Sequence, residues 1–211
     1  MEGRRPALRV GLTGGIASGK TTAGQVLAEH GALVLDADFL AHLVMTPGGR
    51  AHEAVVERFG REILDHRGRI DRSRLGRLVF RDRGEREALN AIVHPEVVAE
   101  AERRLAGYSG HSPVAVFDAA LLVETGRYRD FHKLIVVSCS VDTQIRRLLA
   151  RDDMTSEEAQ TRIDAQAPLS AKIAVADYVV DTEGTLRQTR DQVDRVYAML
   201  LADFESEFGA P

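Results

Sequence analysis

Cysteine, tryptophan, asparagine and lysine are scarce or missing in this chain of 211 residues. Cys139 is the only cysteine, which excludes an internal disulfide and any cysteine-rich zinc site. It lies in the apolar run 134–140, so a buried structural thiol is expected rather than a nucleophile. Asn90 is the only asparagine and Ala91 follows it. The guanine-reading pattern Asn-Lys-x-Asp therefore cannot occur. Asp181-Thr182-Glu183-Gly184 does fit Asp-x-x-Gly, but it follows the last strand candidate, far from where a GTPase switch lies. Charge of one sign is also missing: the formal net charge is −4, which gives no basic surplus for a general nucleic-acid binder. No apolar run could span a bilayer, and residues 1–6 lack the apolar region of an export signal. A cytoplasmic protein with no membrane partner is expected. Hydrophobic content of 44% and charged content of 28% are ordinary for a globular chain, and the length suits one α/β domain with a small insertion.

Against the shortage of lysine, one lysine stands out. The stretch Gly14-Gly15-Ile16-Ala17-Ser18-Gly19-Lys20-Thr21 fits Gly-x-x-x-x-Gly-Lys-[Ser/Thr]. A short apolar run, 8–12, precedes it, and a helical stretch from Thr22 to His30 follows. Strand, glycine-rich turn and helix are the context this motif requires. Backbone N–H groups around 17–20 can converge on a phosphate, and the helix N-terminus adds partial positive charge. Gly14, Gly15 and Gly19 let the main chain approach closely. Ala17, Ser18 and Thr22 complete the binding stretch. Lys20 would reach the β- and γ-phosphates of a nucleoside triphosphate, and the Thr21 hydroxyl would ligate Mg²⁺.

Four further strand candidates are short, apolar and β-branched: 32–35, 114–117, 134–137 and 178–180. Helical stretches separate them, so a doubly wound five-stranded parallel sheet of P-loop kinase type is predicted. Three of the strands run directly into Asp36, Asp118 and Asp181. Ligands of such sheets sit beyond the carboxyl ends of the strands. The segment from about 39 to 113 is too long for a normal crossover. It reads as a helical substrate-binding insertion, with helices over 51–59, 75–80, 88–93 and 97–105. His94-Pro95 divides the last two, and Pro47-Gly48-Gly49 and His66-Arg67-Gly68 are turn signals. Beyond the fourth strand, about 142–168 reads as an arginine-bearing lid. Its first helix carries Arg147 and Arg151 on one face. Its second opens on a capping box of Thr155 and Glu158 and carries Arg162. A final helix over about 186–208 has Val193, Val196, Tyr197, Leu200, Leu201 and Phe204 at helical spacing.

Phosphoryl transfer needs a placed acceptor hydroxyl, cations on the transferring group and exclusion of water. Asp38, just past the second strand, is the candidate base. Asp36 either faces the same site or caps the helix over 39–44. Arg147 is the candidate for stabilising transition-state charge, with Arg151 beside it on the nucleotide. Asp118 is placed either to assist Mg²⁺ or to serve the fold. His94 could hydrogen-bond a substrate, and no histidine has zinc-site spacing.

At this point the residues resemble a family, the dephospho-CoA kinases. The matching stretches are Gly11-Leu12-Thr13 leading into the phosphate loop, Leu35-Asp36-Ala37-Asp38 with Ala41-His42, and Leu89-Asn90-Ala91-Ile92-Val93-His94-Pro95. Leu121-Leu122-Val123-Glu124 and Gln144-Ile145-Arg146-Arg147-Leu148 with Arg151 follow. Arg162-Ile163 with Gln166, then Lys172 with Ala176-Asp177, complete the set. The resemblance implies ATP-dependent phosphorylation of the ribose 3′-hydroxyl of dephospho-CoA. It implies Asp38 as the base, Arg147 as the lid arginine meeting the phosphates, and the insertion as the receiver of dephospho-CoA, with Leu121 and Leu122 lining its site. The chain departs from the family pattern at Ala17, where glycine is usual, at Ala120, where proline is common, and at Thr182, where asparagine is usual. By motif alone, a kinase of another small metabolite and a catalytically silent nucleotide-binding regulator stay open.

Overall fold

A computed structural model describes residues 7–108 and 112–209. The opening residues 1–6, read above for an export signal, lie outside the described residues, as do 109–111 within the inserted segment. The chain divides into two compact units, one of Met1–Leu35 with Ser109–Pro211, the other of Asp36–Tyr108.

The first unit is built on β1 (Leu8–Gly14), β2 (Leu33–Asp36), β3 (Val114–Asp118), β4 (Lys133–Ser138) and β5 (Tyr178–Asp181). They form one five-stranded parallel sheet in the order β2-β3-β1-β4-β5. All five predicted strands are present. The register pairs Leu12 with Asp118, Gly14 with Val137 and Ser138 with Asp181, so the carboxyl ends of four strands come out side by side. Alternation along β4 explains why the strands read as unbroken apolar runs. Ile135 and Val137 join one core with α1 (Lys20–Glu29) and α9 (Leu186–Phe208), through Val26, Leu27, Val193, Val196 and Leu200. Leu134 and Val136 join another with Leu122, Phe131 and Leu169. A strand covered on both faces has no polar side to show. Between β4 and β5 lie α6 (Val141–Arg151), α7 (Ser156–Asp164) and α8 (Leu169–Ile173). The capping box of Thr155 and Glu158 is formed at the start of α7.

The second unit is helical: α2 (Ala37–Val44), α3 (His52–Phe59), α4 (Arg72–Arg81) and α5 (Arg83–Ala106). Its core holds Val44, Val55, Phe59, Ile63, Leu75 and Val93. The carboxylates of Asp36, Asp71 and Asp82 accept first-turn N–H groups of α2, α4 and α5, so Asp36 is a helix cap. One expectation fails. The helices read as 88–93 and 97–105 are a single α5, with Pro95 inside it. Proline removes one backbone hydrogen bond, but Leu89, Ile92, Val93 and Val97 all pack on the second core. Burial of that stripe on both sides of Pro95 outweighs the local break.

Candidate active site

The phosphate loop leaves β1 at Gly14 and ends where α1 begins. Gly14 is required by close approach: a Cβ there would sit 2.5 Å from the Val137 carbonyl oxygen. Gly19 has φ 91° and caps α1 without a side-chain hydrogen bond. Ala17 stands at φ 57°, the one non-glycine residue with positive φ among the described residues. The departure from glycine seen in the sequence is therefore a strained one.

Three consecutive loop carbonyls are tied back by side chains from elsewhere in the unit. Gln144 Nε2 of α6 donates to the Ile16 carbonyl at 2.7 Å. Arg147 Nη1 donates to the Ala17 carbonyl at 3.1 Å. The Thr182 hydroxyl donates to the Ser18 carbonyl at 2.7 Å. Across a trans peptide the C=O and the next N–H point in opposite directions. The clamps therefore turn the N–H groups of Ala17 and Gly19 away from the tied carbonyls. A further hydrogen bond of 2.7 Å runs from the Ile16 N–H to Gln166 Oε1, just past α7. The N-terminal turn of α1 contains no acidic residue, whereas an aspartate caps α2, α4 and α5. An uncapped helix start, with its loop tied by side chains at three carbonyls, presents partial positive charge to an anion.

Lys20 lies in this loop with its ammonium paired to Asp118 at the end of β3, both side chains largely buried. Thr21 is exposed in the first turn of α1. Arg147 also donates to the Thr182 hydroxyl at 3.0 Å and carbonyl at 2.6 Å, so it braces the loop against the chain leaving β5. Thr22, Arg147 and Thr182 line a cavity of about 290 Å³ with Gly19, Gly184 and Leu186. Arg151 points to Asp152 instead, at 2.8 Å. Cys139 is buried, and burial pushes its thiol pKa up despite the nearby Arg147 guanidinium. That agrees with a structural thiol.

The acceptor-side residues divide. Leu121 is 48% exposed, but Leu122 turns inward onto Leu134 and Val136. Asp38, exposed in the first turn of α2, and His94, in the middle of α5, belong to the second unit. Glu183 belongs to no motif legible in the sequence, yet it ties β5's exit to the start of α6. It accepts the Ser140 N–H and the Thr143 hydroxyl, and these bonds, the backbone one foremost, hold its carboxyl at about 2. The roles of Gln144 and Gln166 are likewise not legible in the sequence, because a glutamine facing a loop carries no local pattern. Among the described residues no group of three or more His, Cys, Asp or Glu side chains is arranged to hold a metal ion. No helix among them is long and apolar enough to cross a membrane.

A 2-3-1-4-5 parallel sheet, a lysine-bearing phosphate loop after its central strand and an arginine helix after β4 define a kinase of the P-loop type. The family profile of dephospho-CoA kinase matches residues 8–188, and the chain belongs to that family. It is 43% identical over 189 residues to the dephospho-CoA kinase of Symbiobacterium thermophilum, covering 89% of this chain and 79% of the relative. The crystal structure of TT1252 from Thermus thermophilus matches with a TM-score of 0.80 at 32% identity, covering 94% of this chain and 98% of that one. The dephospho-CoA kinase from Campylobacter jejuni has the same fold, with a TM-score of 0.58 at 23% identity over 91% of this chain and 96% of that one.

Proposed function

We propose that this chain transfers the γ-phosphoryl group of ATP to the ribose 3′-hydroxyl of dephospho-CoA, giving coenzyme A and ADP. The observation that carries the reading is the side-chain-clamped phosphate loop opening onto an uncapped helix that starts at Lys20. Gly14 to Thr22 hold the phosphates, through main-chain N–H groups and the Lys20 ammonium. Asp118 keeps Lys20 in place until the nucleotide's negative charge draws it over. The Thr21 hydroxyl, with Asp118 nearby through Lys20, is a hard-oxygen set that suits Mg²⁺, an ion that retains waters and takes phosphate oxygens as ligands. That ion would neutralise charge on the β- and γ-oxygens.

Asp38 accepts the proton of the 3′-hydroxyl as the new O–P bond forms and the bond to the β-phosphate oxygen breaks. Arg147 stabilises the charge that develops on the transferring group, and Arg151 holds the nucleotide. His94 and Leu121 bind the acceptor, while Leu122 anchors the turn from the core. The helical insertion, about 39–113, receives dephospho-CoA, and the segment about 142–168 closes as a lid that excludes water. The reaction takes place in the cytoplasm, without nucleic acid or membrane.

The test is ADP release from Mg²⁺-ATP with dephospho-CoA, set beside nucleoside monophosphates and buffer alone. Stimulation by dephospho-CoA only, with product heavier by one phosphate, is expected. ATP binding without such stimulation would discard the acceptor.

A further inference from the structure

Among the described residues Lys172 is the one wholly buried cation, at 0% exposure. It sits on α8, outside the phosphate loop and the arginine lid. Its ammonium donates to Glu124 Oε1 at 2.5 Å and to the Ala120 carbonyl at 3.4 Å. Ala120 and Glu124 both lie in the turn that follows β3, residues 120–126, and Leu121, 48% exposed, lies between them. One ammonium therefore spans the turn like a staple.

Both ends of the staple reach further. The Ala120 carbonyl also accepts the Thr13 hydroxyl at 3.0 Å, from β1 one residue before the phosphate loop. Glu124 Oε1 also accepts the Ala167 N–H at 3.0 Å. Ala167 directly follows Gln166, whose side chain takes the Ile16 N–H of the loop. Burial alone would raise the Glu124 carboxyl; the Lys172 hydrogen bond and the N–H donors outweigh it and hold it below its ordinary value. A buried ion pair is weak support for stability, because desolvation consumes most of its attraction, but it fixes geometry closely.

We propose that Lys172 and Glu124 are positioning residues for the acceptor, fixing the Ala120–Glu124 turn and its Leu121 against the strand that leads into the phosphate loop. The inference rests on the dephospho-CoA reading for its kinetics but not for its geometry. Lys172 touches no reacting atom. It acts through Leu121 and through the Ala120 carbonyl that the turn shares with Thr13. A misplacement of about 1 Å in such a turn is enough to cost roughly 10²-fold in rate.

The experiment compares Lys172→Met, Glu124→Gln and the double variant. Each single variant leaves one buried partner alone, so its melting temperature is expected to drop. The double variant replaces an ion pair by a neutral pair and is expected to recover most of that drop. In the recovered double variant, kcat/KM for dephospho-CoA is expected to fall about 10²-fold, mostly through KM, with the Kd for ATP within twofold of wild type. Wild-type acceptor kinetics in a well-folded double variant would overturn the proposal, as would an equal loss of ATP affinity. Amide hydrogen exchange without any substrate gives a second arm. Exchange over residues 120–125 and at Ala167 is expected to rise at least tenfold in the double variant. Unchanged exchange there would overturn the proposal even for a chain that used another acceptor. Absence of wild-type turnover with dephospho-CoA would sink the functional reading alone.

Discussion

The two units of this chain are wired differently. In the sheet unit, polar side chains reach across long stretches of sequence: Gln166 to Ile16 over 150 residues, Arg147 to Ala17 over 130, Lys172 to Glu124 over 48. In the helical unit most polar contacts are local. Asp65 pairs with Arg69, Asp71 with Arg74, Arg83 with Glu87, and Glu100 with Arg103 and Arg104, all at three or four residues. Exposed local pairs contribute little stability, so the helical unit depends on its small apolar core. The sheet unit spends polar groups on fixing one loop before any ligand arrives. That is the arrangement expected where charge must be stabilised in a transition state, since preorganised dipoles need no rearrangement during reaction.

Variants can break this contrast in graded steps. The largest effect is expected from Arg147→Ala, which removes the clamp on the Ala17 carbonyl and the brace to Thr182 together with the charge proposed to meet the phosphates. Turnover should fall roughly 10³–10⁵-fold, with much less change in the affinity for dephospho-CoA; steady-state kinetics showing a change in KM alone would assign Arg147 to binding. Asp38→Asn leaves every clamp in the sheet unit intact and removes the proposed base. A loss of about 10²–10⁴-fold in kcat is expected, with ATP affinity preserved by calorimetry. Wild-type turnover in that variant would remove Asp38 from the mechanism.

Two stability changes sharpen the comparison from the other side. Ile63 is fully buried in the helical core, and Ile63→Ala should cost about 2–5 kcal/mol there. Hydrogen exchange should quicken first in residues 36–108, and uniform quickening across both units would contradict separate wiring. Ala17→Gly should relieve the left-handed strain at φ 57° and stabilise the sheet unit by about 1 kcal/mol, read as a higher denaturation midpoint; a lower midpoint would mean that the lost unfolded-state restriction outweighs the strain.

The smallest effect concerns acid. Backbone N–H donors hold Glu183 in the sheet unit and Asp65 in the helical unit each at about 2, from ordinary values of 4.5 and 3.8. Folded values below unfolded ones mean stability that is complete above about pH 4.5 and is lost as pH falls toward 2. Glu183→Gln should flatten part of the fall in melting temperature between pH 5 and pH 2.5. An unchanged slope would show that Glu183 is not held in this way.

Much of the fold could be read locally. Five apolar runs became five strands, the capping box at Thr155 formed as written, and α9 covers the residues expected of it. Asp36 proved to be the cap of α2 rather than a second carboxylate left open. Pro95 was misread as a boundary because a proline's local cost is visible in sequence and the burial that offsets it is not. For the site, the phosphate loop was legible as a contiguous motif, but its bracing by Gln144, Gln166 and Thr182 was not.

The sequence by itself determined what depends on neighbours along the chain. Alternation and helical period set the elements, glycines set the loop, and the order of residues along the chain put Lys20 and Thr21 at an uncapped helix start. Only the tertiary structure decided which distant side chains meet. Gln166 finds Ile16, and Lys172 finds Glu124 and Ala120, because sheet order and packing bring their segments together. Tertiary structure also decided that Leu121 is exposed while Leu122 is buried, since a turn's direction follows from what anchors its ends. Hydrogen bonds act over about 3 Å in space, and spatial nearness between distant residues is not written in any short stretch of sequence.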